Sequence, residues 1–176
     1  MEEKMRAKRV MFLLLMIGLV VQLFYFSRYT VFAYWKDELS TREEDTDVIL
    51  NGDEILVLEL VNQCRVQNNL SKLKFSKELY NIAEIKANDL LTSENFSHIS
   101  AIYGKTFNIM KDKSIRYNVA GENLAGNDSS EEAVKAWMNS ENHRDNILDE
   151  EYDYTAICVV DSPIYGKIFV QLFIGV

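Results

Sequence analysis

A chain of 176 residues with 48% hydrophobic and 26% charged residues is long enough for one domain with its own core. Its acidity is uneven. Residues 36–176 hold 14 Lys/Arg against 25 Asp/Glu, which disfavours nucleic acid, and anionic lipid too unless a cation intervenes. Two cysteines, Cys64 and Cys158, exclude a disulfide framework; their apolar surroundings read as buried free thiols, with a single pairing as the alternative.

Val10 to Phe26 is apolar except for Gly18 and Gln22. At about 1.5 Å per residue it falls just short of a hydrocarbon core of about 30 Å. Tyr29 to Trp35 then suits an interfacial aromatic belt, with Arg28 snorkelling toward headgroups. Lys4, Arg6, Lys8 and Arg9 precede the run and hold the amino terminus in the cytoplasm. Residues 1–9 therefore read as a cytoplasmic basic tail and 10–35 as a transmembrane signal anchor. A cleaved signal peptide is the rival reading, but its apolar run is usually about 7–15 residues and ends on a small-x-small site. Here aromatic residues stand where small ones belong. Both readings export the remainder, as a single-pass cell-membrane protein or, after cleavage, a secreted one.

Residues 36–52 read as an acidic stalk, because Lys36 to Asp47 is charged and lacks periodic apolar residues. A domain follows over 53–176. From Glu54, Val57, Leu60, Val61 and Cys64 recur at helical spacing until Asn68-Asn69, which tolerate left-handed dihedrals. Ser76 is placed to cap a second helix whose stripe is Leu79, Ile82, Ala83, Lys86, Ala87 and Leu90. Thr92 to Lys105 reads as a loop around Phe96-Ser97-His98, and Thr106 to Lys113 as a short helix. Arg116 to Leu124 reads as an extended segment that turns at Gly126-Asn127-Asp128. Ser129 with Glu132 predicts a capping box, and Ala133, Val134, Trp137 and Met138 form the apolar face of the helix that follows. His143 to Leu148 reads as a polar turn. Thr155 to Val160 and Lys167 to Ile174 read as a hairpin broken at Asp161-Ser162-Pro163. The second strand is apolar on both faces, so it should be central in a sheet covered on both sides. The class is α+β, a three-layer α-β-α sandwich after one amino-terminal transmembrane helix.

The two histidines of the chain, His98 and His143, each lie in a polar segment with carboxylates nearby: Glu94, Glu122 and Glu141. Imidazole with carboxylate suits zinc or another borderline divalent ion, but the two histidines have no local spacing that defines a site. Surface or structural roles for both remain open on spacing alone. Ser97 beside His98 invites a serine-hydrolase reading, for which no nucleophile elbow or acid partner is visible. Trp137 reads as core, Arg144-Asp145 as a turn-stabilising pair, and Asn123 and Asn146 as ligands of loop backbone.

Asn95-Phe96-Ser97-His98, Gly121-Glu122-Asn123-Leu124-Ala125 and Ala136-Trp137-Met138 through Ile147-Leu148 occur in that order. Together with Asn62-x-x-Arg65, they resemble the bacterial, SCP-like branch of the CAP superfamily over roughly residues 54–176. The resemblance implies an α-β-α sandwich and a cleft built from His98, Glu122 and His143, with His98 and His143 as potential ligands of a weakly bound divalent metal such as zinc. Eukaryotic members have a further acid where this chain has Ser140, a departure that the bacterial branch shares. Glu141 is one position on and would point about 100° around a helix. Two imidazoles are a thin first shell, since catalytic zinc has about three protein ligands. Two functions follow from the resemblance. One is a cell-envelope binding module whose partner is a wall polymer, lipid or protein. The other is a metal-assisted, protease-like hydrolase with His98, Glu122 and His143 as catalytic residues.

Overall fold

A computed structural model describes residues 48–93 and 96–176. The basic tail, the signal anchor and most of the stalk lie outside the described residues, as does Glu94. Among the described residues no helix is long and apolar enough to cross a membrane. Residues 49–176 form one compact unit.

In chain order the elements are α1 (Gly52–Gln67), β1 (Lys74–Phe75), α2 (Lys77–Thr92), β2 (Ile99–Ser100), β3 (Gly104–Lys105), α3 (Thr106–Asp112), β4 (Val119–Asn127), α4 (Ser130–Asn139), α5 (Glu141–Leu148), β5 (Tyr154–Ser162) and β6 (Gly166–Gly175). The main sheet runs β1-β5-β6-β4, parallel between β1 and β5 and antiparallel elsewhere; β2 and β3 pair as a separate small ribbon. As the two-sided apolar pattern requires, β6 is central.

Alternation along the strands divides the core in two. Leu124, Cys158, Ile168, Val170 and Leu172 face Leu79, Ile82, Ala83 and Leu90 of α2 and Met110 of α3. Ala125, Ile157, Phe169 and Phe173 face Val57 and Val61 of α1, Trp137 of α4 and Ile147 of α5. Each sheet face thus loses its apolar surface to a helical layer, at about 25 cal/mol per Å² removed from water.

Charged and polar side chains fix how these layers join. Asn51 and Glu54 form a capping box at the start of α1, which begins at Gly52 rather than at Glu54. The buried Glu54 carboxylate also accepts from the Val159 N–H at 3.1 Å, and the Asn51 amide donates to the Val159 carbonyl at 3.3 Å. Since β1 pairs only with Tyr154 and Thr155, these two side chains stand in for a strand farther along the β5 edge. Asn62 meets both backbone groups of Leu73, accepting from its N–H at 2.8 Å and donating to its carbonyl at 3.1 Å. Arg65 is 1% exposed and donates to the carbonyls of Ser71, Ile147, Asp149 and Tyr152. The Asn-x-x-Arg motif therefore ties α1 to the start of the sheet and to the end of α5.

Several local readings are corrected. His143 to Leu148 is not a turn but most of α5, a regular helix that buries only Ile147 fully. Strand β4 runs on through Gly126 and Asn127, where a turn is expected, because both pair with β6. Within the 92–105 loop, Ile99–Ser100 and Gly104–Lys105 form the small ribbon. Ser129 caps α4 by accepting from the Glu132 N–H. Arg144 donates to the Met138 carbonyl at 3.3 Å rather than pairing with Asp145. Both cysteines are free, Cys158 buried and Cys64 half-buried.

Candidate functional site

The outermost strand β4 carries the carboxylate of the site. Glu122 alternates with Leu124 and so faces the α2–α3 layer, where its side chain is 5% exposed. Gly121 and Asn123 face the opposite layer. A side chain at Gly121 would come within 2.5 Å of the Tyr152 hydroxyl and 2.9 Å of Asn146 Oδ1, so only glycine lets β4 lie this close to α5 and its following loop. Asn123 is fully buried and donates to the His143 carbonyl at 3.0 Å; Asn146 donates to Asn123 Oδ1 at 2.9 Å and to the Glu122 carbonyl at 3.3 Å. These amides fix α5, and with it His143, against the strand.

His98 arrives from the other layer, on the loop after α2. Its Nδ1 lies 2.6 Å from Glu122 Oε1. The Thr106 hydroxyl, at the start of α3, donates to Glu122 Oε2. Both carboxylate oxygens are thus engaged, and the carboxylate fixes which way the imidazole ring faces and which nitrogen carries the proton. With Nδ1 committed to Glu122, Nε2 is the nitrogen left for a ligand, on a side chain that is 57% exposed. Burial, and second the positive charge His98 would carry nearby, hold His143 below its ordinary imidazole value of 6.5. The lowered value leaves His143 neutral near pH 7, the form that can ligate or accept a proton.

His98 and Glu122 are in direct contact beside β4, whereas His143 is tied to the same strand through its backbone carbonyl, which accepts from Asn123. Glu141 is exposed on the first turn of α5 and Ser140 is its N-cap, so the eukaryotic fourth acid has no replacement at that place. Among the described residues no group of three or more His, Cys, Asp or Glu side chains is close enough to share a metal ion. The donor set therefore does not fit a resident, fully ligated metal. The Ser97 hydroxyl accepts from the Ile99 N–H at 3.1 Å, a loop-closing role rather than a nucleophile's.

Sequence reasoning missed three features around these residues. Thr106 gave no signal beyond starting a helix. Lys86 on α2 is only 1% exposed and donates to the Ser97 carbonyl at 2.6 Å, where the sequence suggests only a buried stem. Asp89, also buried, accepts from the Ser100 hydroxyl at 2.7 Å. A signal for this pair existed in retrospect: Lys86 falls on the apolar stripe of α2, where an unpaired cation is too costly to bury.

A mixed sheet between two helical layers, with a carboxylate-oriented, solvent-exposed histidine beside its edge strand β4, defines an α-β-α sandwich protein. The model of the cysteine-rich secretory protein family (CAP) matches residues 58–173, and the chain belongs to that family. It is 42% identical over 120 residues to the uncharacterized protein YkwD of Bacillus subtilis, covering 68% of this chain and 46% of that one. It is 30% identical over 130 residues to the uncharacterized membrane protein YlbC of the same organism, covering 73% and 37%. Among solved structures, an extracellular protein containing an SCP domain from Bacillus anthracis superposes with a TM-score of 0.66 at 26% identity, covering 74% of this chain and 45% of that one. The chain thus spans less than half the length of each of these relatives.

Proposed function

We propose that this protein is a membrane-anchored, extracytoplasmic binding module of the cell envelope, which takes its ligand at the groove formed by His98, Glu122 and His143. The observation that carries the reading is the contact between His98 Nδ1 and Glu122 Oε1 at 2.6 Å, on an imidazole that is nonetheless open to solvent. A buried carboxylate that fixes an exposed imidazole presents a preset donor–acceptor to a wall polymer, lipid or protein. The amino-terminal anchor is supported by the apolar run from Val10 to Phe26 and by the likeness to a named membrane protein. The protein should stay with membranes after a carbonate wash, and release of a shortened soluble form would overturn the anchor.

A divalent ion such as zinc would be an exchangeable visitor, held by His98 and His143 with water completing its shell. Zinc titration should show weak, saturable binding that disappears in a His98→Ala, His143→Ala double variant. Identical binding by that variant rejects the site.

The same contact supports a second reading, a hydrolase. An imidazole oriented by a carboxylate at Nδ1 has its Nε2 set to move a proton. Incubation with a library of peptides and wall fragments separates the two. Retention without turnover supports the module. Turnover lost in Glu122→Gln and kept in Ser97→Ala replaces it with the enzyme.

A further inference from the structure

The charged pair buried beneath the His98 loop lies outside the groove and has no part in the chemistry just described. Lys86 and Asp89 sit three apart on α2, on one face of the helix, and their charged ends are 3.5 Å apart. On a helix surface such a pair satisfies itself and needs nothing else. Here both are buried, at 1% and 9% exposure, and each makes its shorter bond to the loop instead. The ammonium donates to the Ser97 carbonyl at 2.6 Å, and the other carboxylate oxygen of Asp89 accepts from the Ser100 hydroxyl at 2.7 Å. Ser100 in turn accepts the N–H groups of Ile102 at 3.0 Å and Tyr103 at 3.1 Å, fixing the tip of the β2–β3 ribbon.

His98 is therefore bracketed. One anchor grips the residue before it and the other the second residue after it, and both come from one turn of a core helix. Among the described residues, a buried ammonium that lost the Ser97 carbonyl would keep only a carboxylate at the limit of hydrogen-bonding distance, so the pair holds the loop closed rather than merely touching it. We propose that Lys86 and Asp89 are positioning residues for His98, clamping its loop so that Nδ1 meets Glu122 while the ring stays open to a ligand. The inference rests on the groove being the functional site, but the clamp is testable without any ligand.

The chain has two histidines, so their signals resolve separately by nuclear magnetic resonance, and the backbone amide of His143, whose carbonyl accepts from Asn123, is an internal control. In the full chain the Nδ1 proton of His98 should appear as a downfield, hydrogen-bonded resonance. Lys86→Met should broaden or remove it and speed amide exchange over residues 97–103 roughly tenfold, a change expected for the loss of one charge-assisted bond, with His143 unmoved. Ser100→Ala, which removes one hydroxyl and leaves the charged pair intact, should loosen Ile102 and Tyr103 in the same direction. It decides the matter if Lys86→Met does not fold. An unchanged His98 resonance and unchanged exchange in a folded Lys86→Met variant, or in Ser100→Ala when that variant alone folds, overturns the clamp. Zinc is the probe for the groove itself. A wild-type chain that ignores zinc removes the metal reading while the ring resonances still decide the clamp.

Discussion

The indole N–H of Trp137 donates to the carbonyl of Leu124 at 3.1 Å, so the largest buried side chain of the domain also closes the outer edge of strand β4. Asn146 does the same two residues earlier, at the Glu122 carbonyl. A core residue and an edge cap are here one side chain, and its loss has two separable parts.

Trp137→Phe keeps much of the apolar volume but orphans the Leu124 carbonyl. Leaving a buried acceptor unpaired costs about 1–3 kcal/mol, to which the smaller ring adds a cavity contribution. Urea unfolding should show a lower midpoint with little change in slope, and a loss under about 0.5 kcal/mol would mean that water reaches the carbonyl.

Arg65 holds four carbonyls with one guanidinium, and burial pulls that group below its ordinary value without removing its charge. Lysine cannot reproduce a planar fork. Arg65→Lys should therefore destabilise the domain nearly as much as Arg65→Met, by roughly 3 kcal/mol. Thermal unfolding of the two variants checks this, and a lysine variant close to wild type would contradict the bridging role.

The depressed value of His143 makes stability depend on pH. The unfolded chain takes up a proton near the ordinary value of 6.5, while the folded chain does so only at lower pH. Stability from this residue is fully present above about 6.5 and is lost as pH falls through the folded value. Unfolding free energy measured downward from pH 8 should decline across that window, and His143→Gln should flatten the decline. An unchanged profile in His143→Gln would assign the dependence to other groups.

The two thiols should differ in reactivity. Burial, followed by the nearby Glu54 carboxylate, pushes Cys158 up to about 12, and partial burial also raises Cys64. The thiolate is the reactive form. An alkylating reagent at pH 8 should label Cys64 in the native protein and reach Cys158 only on unfolding. Equal labelling would show that the layer between α2 and the sheet opens readily.

How far the sequence reveals this molecule depends on what each signal encodes. Apolar periodicity carries α1, α2, α4 and β6, since burial enforces those spacings. The same signal fails for α5, whose run from Glu141 to Asp145 is polar and whose anchorage is Ile147, its own Asn146 and the buried amide of Asn123 on the strand beside it. The extension of β4 through Gly126-Asn127 was hidden because those residues favour turns in isolation, and pairing with β6 overrides them. The contact between His98 and Glu122 was legible through resemblance rather than spacing, because contacts between distant segments leave no local period. The partners of Glu54, Arg65 and Lys86 were equally illegible, since each is buried and bonded to backbone elsewhere in the domain.

Side chains cap backbone groups on both flanks of the sheet, Asn51 and Glu54 at Val159 of β5, Trp137 and Asn146 at the Leu124 and Glu122 carbonyls of β4. A further chain adding alongside either flank would first have to displace these side chains, which discourages edge-to-edge zipping between copies.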